Sequence, residues 1–561
     1  IGTCYLIYHR KEEKTLNRGN FMRNYKKEIY DRLGIDNNTI PSWKTNDYSS
    51  DLKVSLKIQE YAMKADSIII IGDYDADGIC ASHILKRSME EITPDKDITI
   101  LLPTRPEGYG INRRMVDFCK QEAADKTPLV ITCDTGIAAK EYLEEIKSAG
   151  CNVILTDHHE LKDRDKLPCV DLIIDPEVSF IDNPLSGTNW CGAGVAFKLM
   201  ENIVSLQTRN YCLAFAGIAT VADMIILREG SWQLVKNAID SLKVNAPVNI
   251  LLLTHELGRN LAHLTTDDIG FYIAPTFNAA GRLEGSEIQT DGALQVIDFL
   301  ENPTEEKAKR LVEINDYRKE LDVEEVEKVD NLIKEQGKEL DYPIWIYAPG
   351  LHKGLVGLVA GFIKEKYNAP VCVCTDNEDK TMITGSARSV DGFNIYDYLD
   401  KNKDCFIKYG GHEGGAGFSL TKENFEEIEK RVEKREFIPK RKIDAIPIEL
   451  NDIPHINRIT NELRPFGEGF SEPVFSADID LTKQENVSML GEEKKHLSIR
   501  NTTPKWKLIH FGHTESDLTN YEKFKAYGKV HSSYFKEYMT PEMSVKVVED
   551  EPVNEYDDLE L

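Results

Sequence analysis

Between residues 61 and 185 short apolar runs alternate with amphipathic stretches, and no other feature of the chain restricts its fold as strongly. SIIIIG (67–72), DITILLP (97–103), PLVITCD (128–134), NVILTD (152–157) and DLIIDP (171–176) each read as a short buried strand, with helices starting near Ile79 and Ala138 among the segments between them. This alternation predicts βαβ units and a parallel, doubly wound sheet. Open α/β sheets bind ligands beyond the carboxyl ends of their strands. Here those ends carry acids and histidines.

DYDADG (73–78) follows the first run and opens a helix, so Asp73, Asp75 and Asp77 crowd one strand end. A single acid there could serve as a helix N-cap. Three acids buried together repel one another, at a cost far above a hydrogen bond, unless cations neutralise them. CDTG (133–136) sets Asp134 at a second strand end, and TDHHE (156–160) sets Asp157, His158 and His159 at a third. Carboxylate oxygens with one or two imidazole nitrogens suit Mn²⁺ or Mg²⁺ better than Zn²⁺. Two such cations sharing a carboxylate would activate a water and hold both oxygens of an in-line displacement at phosphorus.

The 561 residues predict three or four domains. With 69 Lys+Arg against 95 Asp+Glu, the formal charge of −26 excludes a surface that is basic throughout, although a local basic groove remains compatible. The seven residues Lys430, Arg431, Lys434, Arg435, Lys440, Arg441 and Lys442 cluster in sequence, as a basic patch or simply as a solvated helix and linker. Eleven scattered cysteines form no metal-binding box, and Cys372 and Cys374 read as fillers of a buried strand. This usage points to a reduced, cytoplasmic setting. Ile1 opens the sequence without an initiating Met or a signal-peptide core, as expected of a piece starting inside its native chain. Tyr211–Leu227 is too short and too acidic, with Asp223, to span a membrane, and reads as a buried helix running into a strand.

Further on, the charged stretch from about 301 to 341 reads as one long helix, a solvated spacer with Leu311, Ile314, Leu321, Val326, Val329 and Ile333 on its apolar face. A second α/β pattern follows, with IWIYAP, a helix over 356–367, PVCVCT and the glycine-dense GGHEGGAG. VFSADID, KHLSIR, WKLIHFG, FKAYGKV and MSVKVVE then predict a small all-β module, sandwich or barrel. The tail, with seven acids and no base from Val547 on, is expected to be disordered.

DYDADG, CDTG, TDHHE and Asp223 in TVADMIIL together resemble the motifs of the DHH phosphoesterase superfamily. CGAGVAFKL (191–199), FNAAGRL (277–283), LHKGLVGLVAGFIKEKYNAPV (351–371), GSARSVDGFNIYDYL (385–399), GGHEGGAGFS (410–419) and RPFGEGFSEPVF (464–475) are similar, in order and spacing, to the RecJ-type single-strand-specific 5′→3′ exonucleases. The resemblance covers about residues 60–548. It implies two α/β domains, DHH and DHH-associated, joined by a long helix, plus an oligonucleotide-binding (OB) fold. The boundaries expected are an N-terminal cap at 1–60, the DHH domain at 61–300, the connecting helix at 301–341, the DHH-associated domain at 342–442, the OB fold at 443–548 and the acidic tail at 549–561.

The resemblance further implies that Asp75 and Asp134 serve one Mn²⁺ or Mg²⁺ ion while Asp77, His158 and Asp223 complete a second, with Asp134 bridging. Asp73 is then a ligand or stands behind one, and His159 faces the scissile phosphate, for charge stabilisation or proton transfer. Arg105, Arg282, Ser386 and Arg388 are implied to hold the strand's phosphates, with Gly410, Gly411 and His412 of the glycine run. Trp506, Phe511, Tyr527 and Tyr534 are candidates for stacking on bases, most of them being core. The activity implied is removal of 5′ nucleotides from single-stranded DNA by a monomer, in repair and recombination, with a single-strand-binding protein or a helicase as partner and no membrane. The alternatives are a short-oligonucleotide or cyclic-dinucleotide phosphodiesterase and a non-catalytic replication scaffold of the same fold.

Overall fold

Four consecutive isoleucines make β1 (Ser67–Ile71) buried on both faces, as an interior strand of a parallel sheet must be. The computed structural model describes residues 23–46 and 52–549 apart from short internal stretches, the longest at 179–184, 436–442 and 512–522. Around β1 lie β2 (Asp97–Leu101), β3 (Leu129–Thr132), β4 (Asn152–Thr156) and β5 (Leu172–Ile174), all parallel, in the order β2-β1-β3-β4-β5. The chain winds to one side of β1 for β2 and to the other for β3, so the topological switch point falls at the carboxyl ends of β1 and β3. Asp73 and Asp134 follow these two strands directly.

The described chain forms two compact units. The larger, 41–443 with 463–472, holds this sheet and a second, mixed one. In the second sheet, β7 (Ile344–Tyr347) and β8 (Val371–Asp376) are parallel, and β9 (Ile383–Arg388), β11 (Gly415–Leu420) and β10 (Lys408–His412) extend it antiparallel. A two-residue pair, β6 (Asp341–Tyr342) with β12 (Glu433–Lys434), flanks it in sequence. Cys372 and Cys374 are buried in β8, as strand fillers.

The smaller unit, 23–40 with 444–462 and 473–549, is built on a seven-stranded sheet in the order β13-β14-β18-β19-β17-β16-β15. Its strands are β13 (Ile446–Pro447), β14 (Phe475–Asp480), β15 (Val487–Leu490), β16 (His496–Thr502), β17 (Lys505–His510), β18 (Lys523–Phe535) and β19 (Tyr538–Glu549). The helix Tyr25–Leu33 belongs to it, with Tyr25 Oη donating to Asp452 Oδ2 at 2.8 Å and Arg32 paired with Asp444 at 2.9 Å. Residues 41–60 go instead with the larger unit. Most of the tail expected at 549–561 lies outside the described residues, as do Lys440, Arg441 and Lys442.

Two local readings are corrected. The helix Leu206–Ala222 ends at Asp223 and is followed by a turn and the helix Glu229–Asn245, with no strand between, because Asp223 closes the helix and Met224 turns through a positive φ of 53°. The long helix Glu305–Glu335 is no solvated spacer: besides its apolar face it buries Asn315, Arg318, Asp322 and Asp330. Arg318 donates to Asn315 at 3.0 Å and to Asp322 at 2.6 Å, so the polar side chains enter the interior already paired.

The helix Ala76–Ile92, which leads away from the first acidic motif, is almost wholly buried in its first three turns. Its His83 is enclosed, and burial followed by the Lys86 and Arg87 charges pushes the imidazole down to about 3 from the ordinary 6.5. The unfolded chain therefore takes up a proton below pH 6.5 that the native chain refuses. This share of stability is intact above pH 6.5 and is lost progressively as the pH falls towards 3, up to roughly 5 kcal/mol in all. Urea unfolding should thus lose less midpoint between pH 7 and pH 5 in His83→Gln than in the wild type, and equal losses would refute this account of the buried ring.

Candidate metal centre and phosphate-binding residues

The carboxyl ends of β1, β3 and β4 bring the predicted acids together. Asp75 is the N-cap of Ala76–Ile92, its Oδ1 accepting from the amides of Asp77 and Gly78 at 3.0 Å each. The capping role considered for one acid thus belongs to Asp75, which still faces its neighbours. Asn278, in the helix Ala274–Arg282, fixes the same turn by accepting from the Ala76 amide at 2.8 Å. Asp77 is held from 115 residues away: its Oδ2 and Oδ1 accept from the amides of Gly192 and Ala193, at 2.6 and 2.8 Å, at the start of the helix Gly192–Met200. Asp134 stands in the left-handed region at φ 57°, a conformation that non-glycine residues adopt mainly under local constraint.

His158 is the hub. Its Nε2 lies 3.0 Å from Asp134 Oδ1 and 3.6 Å from both Asp77 Oδ2 and Asp223 Oδ2. Three sets of ligand atoms each fall within 4.8 Å of one another: Asp73, Asp75 and Asp134; Asp77, His158 and Asp223; and Asp134, His158 and His159. The His158–Asp134 contact joins the first two sets, the arrangement a paired cation centre needs.

The electrostatics point the same way. Burial, then the neighbouring acids Asp77, Asp75, Asp73 and Asp157, drives the Asp134 carboxyl well above its ordinary range. Burial and Asp75 do the same to Asp73, and Asp75 is itself raised by burial and Asp77. Asp223 is pushed up to about 8 by burial and by Asp77 and Asp75. Asp73 Oδ1 is buried with no hydrogen-bond partner. A crowded set of carboxylates with an orphaned oxygen at its centre is a donor set made for hard divalent cations.

Asp157 plays a different part. Its Oδ1 lies 2.7 Å from His159 Nδ1 and also accepts from the amides of His158 and His159, while Oδ2 accepts from Ile137 at 2.9 Å. Burial disfavours charge on His159, but the Asp157 hydrogen bond and charge outweigh it and raise the imidazole to about 9. His159 is accordingly a cation whose other nitrogen points outward. Tyr109 Oη sits 3.1 Å from that Nε2 and donates to the Asp134 carbonyl at 3.5 Å. Asp157 was placed at the third strand end without a role of its own, while Tyr109, Asn278 and Gly192 were not singled out individually from sequence. The motifs FNAAGRL and CGAGVAFKL and the nearness of Arg105 to Tyr109 carried the only signal.

Arg105 and Arg282 meet beside the acids. The Arg105 guanidinium lies 4.3 Å from the centre of the Tyr74 ring, between two of the clustered aspartates in sequence, and its Nε donates to the Gly281 carbonyl at 3.2 Å. Arg282 is lowered to about 10 by burial and then by the Arg105 charge, and donates to the Gly354 carbonyl at 3.4 Å. Three residues on, Gly357, in the first turn of the helix Val356–Tyr367, packs on the second cluster. A Cβ built at Gly357 would lie 3.0 Å from Arg388 Nη2 and 3.5 Å from Ser386 Oγ.

Gly410, Gly411 and His412 lie in β10, in a hairpin with β11. The register aligns Ser386 with Gly417 and Gly410, and Arg388 with Gly415 and His412. Strand alternation therefore puts Ser386, Arg388, Gly410, His412, Gly415 and Gly417 on one face, a floor of bare backbone around a guanidinium. Gly411 lies on the other face. The basic cluster supplies no free patch among its described members: Arg431 pairs with Asp404 at 2.9 Å, Lys434 with Asp341 at 3.2 Å and Lys430 with Glu427 at 3.4 Å, while Arg435 donates to the Tyr367 and Asn368 carbonyls. In the smaller unit Trp506 is buried, Tyr527 is half-buried, and Phe511 and Tyr534 are exposed.

The model of the DHH family, N-terminal domain, matches residues 67–224, that of the DHHA1 domain 341–435 and that of the RecJ OB domain 446–547. The chain carries a DHH family N-terminal domain, a DHHA1 domain and a RecJ OB domain. The chain is 26% identical over 510 residues to the single-stranded-DNA-specific exonuclease RecJ of Bacillus subtilis, covering 87% of this chain and 62% of that one. It is 27% identical over 482 residues to the same-named protein of Haemophilus influenzae, covering 81% of each. It shares the fold of Thermus thermophilus RecJ solved with Mn²⁺, with a TM-score of 0.72 at 23% identity over 94% of this chain and 76% of that one. The chain thus spans less than two thirds of the Bacillus subtilis relative's length.

Gly192 gives the centre a mechanical test. A Cβ there would come within 2.4 Å of Asp134 Cβ and 2.8 Å of its Cα, so backbone and not a flexible tip would have to yield. Gly192→Ala is expected to cost about 1–3 kcal/mol of stability and to weaken Mn²⁺ binding at least about tenfold. Calorimetric titration with Mn²⁺ checks it, and unchanged affinity would show that the helix start does not shape the centre.

Proposed function

We propose that this protein is a metal-dependent exonuclease that removes nucleotides from the 5′ end of single-stranded DNA and releases 5′-mononucleotides. The observation that carries this reading is the pairing of a carboxylate set on Asp134 with an acid–histidine set on His158 at the switch point of the sheet, beside the Arg105–Arg282 pair. Two divalent cations, Mn²⁺ or Mg²⁺, would be held by Asp73, Asp75 and Asp134 on one side and by Asp77, His158 and Asp223 on the other, with Asp134 between them. Bound there, they supply a nucleophilic water at neutral pH and neutralise charge on the phosphate.

The side chains do the rest. His159, kept protonated by Asp157, presents Nε2–H to a phosphate oxygen as charge builds on it. Tyr109, bonded to the same nitrogen, holds that place until substrate enters. Arg105 and Arg282 orient the phosphate that approaches the centre, and Ser386, Arg388 and the glycine floor take the terminal one. Exposed Phe511 and Tyr534 offer faces on which bases stack without sequence preference.

A role in repair and recombination with a single-strand-binding protein or a helicase, action as a monomer, and a cytoplasmic location complete the reading. The described cysteines form no disulfide, and no described helix is long and apolar enough to cross a membrane. The test is digestion of end-labelled single- and double-stranded oligonucleotides with Mn²⁺, Mg²⁺ or chelator. Shortening of the single strand from its 5′ end, dependent on metal, with blunt duplex resistant, is expected. Equal digestion of duplex, or cleavage only of dinucleotides, would replace this reading with that of a general nuclease or a small-substrate phosphodiesterase.

A further inference from the structure

A cavity of about 580 Å³ opens between five helices of the larger unit: Ala76–Ile92, Leu206–Ala222, the end of Glu229–Asn245, Val248–Glu256 and Ala293–Glu301. That volume is in the range of small-molecule sites. None of the residues assigned above to metals or phosphate lines it. Along Ala76–Ile92, Arg87 stands ten residues beyond Asp77, about 15 Å at the rise of an α-helix.

The walls are built rather than accidental. Asn249 Nδ2 donates to Tyr211 Oη at 2.9 Å and to the Leu300 carbonyl at 3.0 Å. With that hydroxyl accepting from Asn249, its proton points at His83 Nε2, 2.9 Å away, an acceptor because the buried ring is neutral. The floor is thereby locked in one hydrogen-bonded arrangement. Gln207, Asn210 and Asn245, all exposed, line the cavity's rim, and each side-chain amide offers a donor and an acceptor. Such pairs match the edges of nucleobases.

The two cations of the cavity differ. Lys86 is tied to Glu301 at 2.6 Å, both largely covered. Arg87 reaches Glu90 only at 3.5 Å, with both side chains nearly half exposed, an ion pair of the weak kind that a phosphate displaces. Pro247 starts the helix Val248–Glu256 at the cavity without a side-chain cap, and Asn249 Oδ1 accepts from the Ile250 amide at 2.9 Å, which leaves the Val248 and Asn249 amides at a helix start that lines the same cavity as Arg87.

We propose that this cavity binds a nucleoside 5′-monophosphate, with Arg87 on the phosphate and the amides of Gln207, Asn210 and Asn245 on the base edge. It rests on the cavity and is independent of the nuclease reading. Under that reading its ligand is the class of molecule the reaction releases.

The test is calorimetric titration of the full chain with deoxyadenosine 5′-monophosphate in chelator, so that the metal centre does not compete. One site is expected, retained in Asp134→Ala, and weakened at least about tenfold by Arg87→Glu and separately by Asn245→Trp, which fills the cavity from its rim. Deoxyadenosine and inorganic phosphate should each bind at least about tenfold more weakly than the nucleotide. Circular dichroism of both cavity variants controls for folding. Absence of binding, loss of binding in Asp134→Ala, binding that survives both cavity variants, or phosphate binding as tightly as the nucleotide would each overturn the assignment, whatever the outcome of the digestion assay.

Discussion

Asp134→Ala should lower turnover on single-stranded DNA at least about a thousandfold, a barrier increase of about 4 kcal/mol or more. Asp134 belongs to the set with Asp73 and Asp75 and lies 3.0 Å from His158 of the set with Asp77 and Asp223, so its loss removes a ligand from one side and a neighbour from the other. The same variant should be at least as stable as the wild type in chelator. Without cations Asp134 is a buried acid facing Asp77, Asp75, Asp73 and Asp157, and removing one member of a repelling set relieves the rest. With Mn²⁺ the order should reverse, because the wild type gains the free energy of metal binding and the variant does not. Urea unfolding with and without Mn²⁺, beside a turnover assay, reads all three. Near-normal turnover would remove Asp134 from the centre, and a variant that is simply less stable under both conditions would make it a structural acid.

The acids could be read from sequence because each follows an apolar run, and a parallel sheet gathers such ends at one edge. What was not legible depends on contacts that strand periodicity does not encode. Nothing near Asp77 announces that its oxygens are held by Gly192 and Ala193, since the pairing is created by the packing of one helix start against another. Asp157 sits among the acids in sequence, yet its lone pairs are spent on Ile137 and the two histidines, which makes it the positioning residue of His159.

GGHEGGAG, read as a glycine-dense stretch where backbone could approach phosphate, is a hairpin of the second sheet. Glycines have no side chains to show the period of two by which a strand is recognised. The charged helix 305–335 misled for the opposite reason. Its Arg318 and Asp322 look solvated in sequence and are buried as a pair, and only the tertiary partner distinguishes the two cases.

Arg388→Ala is expected to erase the preference for a 5′-phosphorylated end. The Arg388 guanidinium is largely buried, its proton affinity lowered by that burial, with no carboxylate among the described residues offsetting the charge. Its recorded hydrogen bond goes to the Ala387 carbonyl at 3.0 Å. A buried cation with so little compensation is stabilised by an incoming anion, and the surrounding Gly357, Gly415 and Gly417 leave room for one beside Ser386. Charge-assisted hydrogen bonds to such an anion are worth about 1.5–3 kcal/mol. The wild type should therefore degrade a 5′-phosphorylated strand roughly 10–150 times more efficiently than its 5′-hydroxyl counterpart. In Arg388→Ala the two substrates should converge on the slower rate, with Mn²⁺ affinity unchanged because the lost fork touches the end of the strand and not the scissile bond. Arg388→Lys should recover only part of the difference, since an ammonium keeps the charge but not the planar, two-pronged geometry. Convergence on the faster rate, or a wild type indifferent to the end group, would leave the metal centre where it is and move the terminal phosphate away from this face of the second sheet.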